Sequence, residues 1–142
     1  NAVEKAKRTA LDCIGAALGG IGEPVSQAIT GYVTKPGGPS QTSVFGTGIK
    51  VSVPDGALAN GSIAHALDYD DCGMKIGHPS VTVLPAVLSL GEHLGASGRE
   101  SRTAYRRTGR TPDRDAPGIR PRGFRQVPVT GCWASSMSFC RA

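Results

Sequence analysis

The densest chemistry in this 142-residue sequence lies in AHALDYDDCGMKIGHPS, residues 64–80. Three carboxylates, Asp68, Asp70 and Asp71, are followed by a short loop and then His78. A carboxylate and an imidazole brought together can do general acid–base work. The ring exchanges a proton near neutral pH, and the carboxylate fixes its tautomer or holds a polar substrate group. The competing reading is a solvated acidic helix end. Carboxylates at a helix C-terminus oppose the macrodipole, so such a cluster needs a compensating partner or a use. His78 precedes Pro79, which biases its backbone to an extended conformation. The loop Cys72 to Gly77 contains Gly73 and Gly77 and can turn back. Asp68 and His78 are therefore expected to meet across the loop, at the mouth of a pocket.

Other residues are less specific. The acidic cluster suits magnesium or calcium in type, but it lacks the D-x-D-x-D-G pattern and closing Glu of a calcium loop, so no metal is expected. His65, three residues before Asp68, shares a helical face with it and reads as packing or capping. His93 reads as a surface residue near a helix end. Gly46 and Gly48 mark a turn, because no third glycine opens a helix after them. Cys13, Cys72, Cys132 and Cys140 show no C-x-x-C spacing, which argues against structural zinc and for free thiols in a reducing, cytoplasmic setting.

The elements that must position these groups follow from periodicity. Val3, Ala6, Ala10, Leu11, Ile14, Ala17 and Leu18 recur near a 3.6 period and predict a helix over 3–18, ended by Gly19 and Gly20. Pro24 opens a second helix through Tyr32. Val44, Phe45, Ile49, Val51 and Val53 flank the glycine turn as two short strands. Pro54 and Asp55 open a helix running through Leu67 into the acidic cluster. A further helix is expected from about Thr82 to Leu94, with Pro85 in its first turn. Ser97 and Glu100 form a capping-box pair, but the helix they announce is not expected to develop. No run approaches the roughly 18 apolar residues of a membrane span, and the N-terminus lacks a signal-peptide pattern.

With these residues in place, a resemblance is visible. ALANGSIAHALDYDD, followed by HPSVTVLPAVLSLGEHLGASGRE, resembles the MmgE/PrpD family of 2-methylcitrate dehydratases and cis-aconitate decarboxylases. KAKRTALDCIGAALGG and the FGTG…VSVPDGALANG stretch match the same family's early helices, so the resemblance covers about residues 2–100. It implies a mainly α fold: part of the all-helical large domain, with a short β-hairpin near 42–53 and without the smaller α+β lid. It implies a lyase that eliminates water or carbon dioxide from a small di- or tricarboxylate, or epimerises it, by acid–base catalysis without a cofactor, in a homodimer. The family's catalytic Asp and His fall on Asp68 and His78. A further pocket position, often Thr, falls on Cys72. The family continues with a hydrophobic helix, a G-F-H motif carrying a second His, and pocket lysines. Here the nearest echo is Gly123-Phe124-Arg125, and the family's first helix is expected before Asn1.

The two parts of the chain differ in composition. Residues 1–100 carry seven Lys and Arg against nine Asp and Glu, whereas residues 101–142 carry nine Arg, no Lys and two Asp. The formal charge of +5 therefore belongs to the tail. The tail holds four of the ten prolines and no Leu, and is expected to be disordered from about Arg106 and to derive from a coding region read out of frame near Ser101. Its arginines could meet phosphates, yet it holds no recognisable module and little aromatic interleaving, so nucleic acid is not an expected partner. Two functions stay open. One is a dehydratase-like lyase with Asp68 and His78 as part of its site. The other is a catalytically inactive fragment, or a small binding protein with a basic tail.

Overall fold

Five helices and one short hairpin make up the computed structural model, which describes residues 2–71 and 77–108, all within one unit spanning Asn1–Thr111. In α1, Ala2–Gly20, the 3.6-residue period places Ala6, Cys13 and Ala17 in the interior, while Leu11 and Leu18 lie exposed on its flanks. α2, Pro24–Thr34, begins on Pro24, whose missing N–H costs nothing in a first turn, and buries Val33. β1, Thr42–Ser43, pairs antiparallel with β2, Lys50–Val51, in the register Thr42 opposite Val51. The expected hairpin is thus formed, with Gly46 and Gly48 both at positive φ in its connection.

α3, Val53–Ala64, lies at the centre and packs on α1, α2 and α4. Ser52 caps it, accepting from the Asp55 N–H at 3.3 Å. Its buried face consists of Gly56, Ala59, Asn60, Ile63 and Ala64, and the small ones, Gly56, Ala59 and Ala64, let neighbours approach closely. A Cβ on Gly20 would run into the Ile63 carbonyl, so only glycine lets the end of α1 rest against α3. The core is completed by Val44 and Val51 from the hairpin and Leu84 from α4.

α4, Pro79–Leu94, starts three residues earlier than the sequence suggests. Pro85 consequently lies inside the helix rather than in its first turn, and leaves the Val81 carbonyl without its i+4 donor. That carbonyl faces Gly61 of α3, where a Cβ would stand 3.4 Å from it. The helix ends in a Gly95 cap with φ 64°.

The expectation that no helix develops after Ser97 is overturned: α5 spans Gly98–Thr108. The capping box is formed, with the Ser97 N–H and hydroxyl both donating to Glu100, and the Tyr105 hydroxyl meets Ser80 Oγ at 2.7 Å. A good start and one anchored aromatic hold a helix that has almost no apolar period of its own. The disorder expected from Arg106 is overturned as far as Thr108, and the remaining tail expectations, including Gly123-Phe124-Arg125, fall outside the described residues. Among the described residues no helix is long and apolar enough to cross a membrane.

The hairpin is fastened to α4 by Glu92. Its carboxylate accepts from the Ser43 N–H at 2.8 Å, the Ser43 hydroxyl at 2.8 Å and the Thr42 hydroxyl at 2.9 Å, and pairs with Lys50 at 3.0 Å. Hydrogen bonds from the Ser43 backbone and hydroxyl, with Lys50 and Thr42 adding, hold the carboxyl at about 2, below its usual 4.5. A depressed carboxyl contributes stability above its unfolded value and loses it as pH falls towards the folded one. With 36 % of the side chain exposed, solvent screening reduces the benefit to about 1–2 kcal/mol. Urea unfolding at pH 6 and at pH 2 should show the wild type losing that much more stability than Glu92→Gln; equal losses would remove the clamp from the account.

Candidate active site

The acidic cluster is not on a helix end. α3 stops at Ala64, with His65 as its C-cap, so the expected continuation through Leu67 is replaced by a turn in which the Asp68 N–H donates to the His65 carbonyl at 3.1 Å. Asp68 occupies the left-handed region at φ 54°, the one described non-glycine residue to do so. This costs of order 1 kcal/mol, and such strain concentrates at functional positions.

Each of the three carboxylates then takes a different task. Asp71 accepts from the Ser80 N–H at 3.1 Å and the Ser80 hydroxyl at 2.7 Å, capping the start of α4, where negative charge is favoured. Ser80 in turn reaches Tyr105, tying α5 to the same point. His78 is the N-cap residue of α4, yet its side chain makes no capping bond. Because Asp71 supplies the cap, the imidazole is left for other use.

His78 stands between the other two. Its Nε2 lies 3.3 Å from Asp68 Oδ1, and its Nδ1 lies 3.1 Å from Asp70 Oδ2. Asp68 and His78 thus meet across the loop. The Asp68 side chain is 70 % exposed, whereas that of Asp70 is fully buried. Asp70 also pairs with His65, Nδ1 to Oδ1 at 2.8 Å, and the two imidazoles lie 4.6 Å apart between centroids. Four residues are thus brought together, Asp68 and His78 with Asp70 and His65. His65 is the C-cap of α3, the capping place its sequence suggested, and its ring in addition pairs with Asp70, the buried hub. They are five positions apart, a spacing no helix-face rule picks out.

Donor atoms of His65, Asp68, Asp70 and His78 lie within 4.8 Å of one another. Donors sharing one tetrahedral zinc at its usual bond lengths stand about 3.3 Å apart. The 2.8 Å between His65 and Asp70 is shorter, the spacing of a shared proton.

Cys13 of α1 is the neighbouring thiol. Burial, with the charges of Asp70, Asp71 and Asp12 adding, pushes it up to about 11, so it stays protonated and unreactive. A cavity of about 640 Å³ lies among Leu11, Ile14, Phe45, Leu88 and Tyr105, and none of the four acid–base residues lines it. Cys72 falls outside the described residues.

The chain is 30 % identical to the cis-aconitate decarboxylase of Mus musculus over 93 residues, covering 65 % of this chain and 19 % of that protein. It is 30 % identical to the cis-aconitate decarboxylase of Homo sapiens over 100 residues, covering 70 % of this chain and 21 % of that protein. The chain thus spans about a fifth of the length of these curated relatives. The profile of the MmgE/PrpD N-terminal domain matches residues 1–106, three quarters of the sequence and every helix up to the last turn of α5, and the chain belongs to the MmgE/PrpD family.

Proposed function

We propose that this chain supplies an acid–base portion of a lyase acting on a small tricarboxylate, with His78 and Asp68 as its proton-transferring groups. The observation that carries the reading is His78 held between two carboxylates, one exposed and one buried, in a chain of a lyase-containing family. The Nε2 edge beside Asp68 is the open side of the ring. There a proton can be removed from carbon next to a carboxylate, or delivered to a departing hydroxide or to the carbon that carbon dioxide leaves. Cys72 is the proposed substrate contact.

A second reading has its own support. The alternative is that a chain spanning about a fifth of its relatives' length does not by itself turn over a tricarboxylate. Both are tested together. The purified chain should leave cis-aconitate and 2-methylcitrate unchanged when followed by NMR. A chimaera of the mouse relative, with its matching segment exchanged for residues 1–106, should turn over cis-aconitate. A folded but inert chimaera would refute the lyase reading, and turnover by the short chain at ordinary enzyme rates would refute the second.

A further inference from the structure

We propose that Asp70 is a positioning residue for His78: its Oδ2 takes the Nδ1–H of the imidazole, leaving Nε2 beside Asp68 as the nitrogen that exchanges protons. The inference rests on the acid–base reading of His78. Asp70 Oδ2 and His78 Nδ1 are both buried, and neither has a well-aligned hydrogen-bond partner, yet they stand 3.1 Å apart. A buried donor or acceptor left unpaired costs about 1–3 kcal/mol. These two atoms are complementary, so a small ring rotation relieves both penalties at once. Catalytic hydrogen bonds are commonly misaligned before substrate binds and tighten afterwards.

The carboxylate is held from its other side. His65 occupies Oδ1 at 2.8 Å, which fixes the rotation of the Asp70 carboxylate and turns Oδ2 towards His78. The backbone that carries His78 is pinned two residues later, where Asp71 accepts from both the N–H and the hydroxyl of Ser80. From α1, the protonated Cys13 thiol adds no competing charge. Which ring nitrogen carries the proton in a neutral histidine is set by the hydrogen bond the other atom makes. Asp70 therefore selects the Nδ1–H form, whereas a histidine free in water favours Nε2–H.

The test reads the ring itself. In the full 142-residue chain, long-range proton–nitrogen NMR correlations of ¹⁵N-labelled histidine should show neutral His78 mainly as the Nδ1–H tautomer. In Asp70→Ala the population should invert to mainly Nε2–H, while far-ultraviolet circular dichroism stays that of a helical fold. A wild-type His78 that is mainly Nε2–H overturns the proposal, as does a folded Asp70→Ala protein whose tautomer is unchanged. Should Asp70→Ala fail to fold, the wild-type spectrum alone decides. The readout is independent of turnover. A folded but inert chimaera beside an Nδ1–H His78 would count against the lyase reading only, and an active chimaera beside an Nε2–H His78 against the positioning role only.

Discussion

His78→Ala and Asp68→Ala, each introduced into the chimaera, are expected to lower turnover of cis-aconitate by about 100-fold or more, the loss that follows removal of a general acid–base group. The two should behave as one unit. His78 Nε2 and Asp68 Oδ1 stand 3.3 Å apart, so deleting either disables the same proton transfer. The double variant should accordingly be little worse than the poorer single one. Neither change should unfold the protein. Asp68 is largely exposed, and the cap of α4 comes from Asp71 rather than from His78. Measured kcat and KM for the three variants, with circular dichroism as the control, decide the matter. Near-normal turnover in the double variant would remove both residues from the mechanism.

Asn60→Leu should cost about 2–5 kcal/mol of stability, the sum of two backbone groups left unpaired in a mostly dry place. Asn60 sits on α3 with 1 % exposure, its Oδ1 accepting from the Phe45 N–H at 2.8 Å and its Nδ2 donating to the Ser43 carbonyl at 2.9 Å. One side chain thus imitates a neighbouring strand for a hairpin whose strands are only two residues each. Leucine matches the volume but offers neither atom. Asn60→Asp should fall between, since a carboxylate accepts from Phe45 but cannot donate to Ser43. Urea unfolding of the three proteins gives the ranking, and an unchanged midpoint for Asn60→Leu would show that the hairpin is held by its apolar contacts and Glu92 alone.

By itself the sequence determined the existence of the first four helices and much of their punctuation. The period through Ala6, Ala10 and Ala17, the proline at the start of α2, the glycines that end α1 and α4, and the turn between Val44 and Ile49 are local signals. Each acts within a few residues, so each is legible before any packing is known. The concentration of acid–base residues between 65 and 80 was legible in the same way, as was the pairing of Asp68 with His78. What only the tertiary structure decided is the division of labour among near-identical neighbours. Asp68, Asp70 and Asp71 are the same residue type within four positions, yet one is exposed and strained, one is buried between two imidazoles, and one caps α4. That difference depends on where α3 stops and how α4 returns across it, and burial and hydrogen-bond partners are properties of that return, not of the residue. α5 makes the same point. Its sequence has too little apolar surface to predict a helix, and it is held by a cap and by Tyr105 reaching Ser80, a contact between residues 25 positions apart that no local pattern encodes.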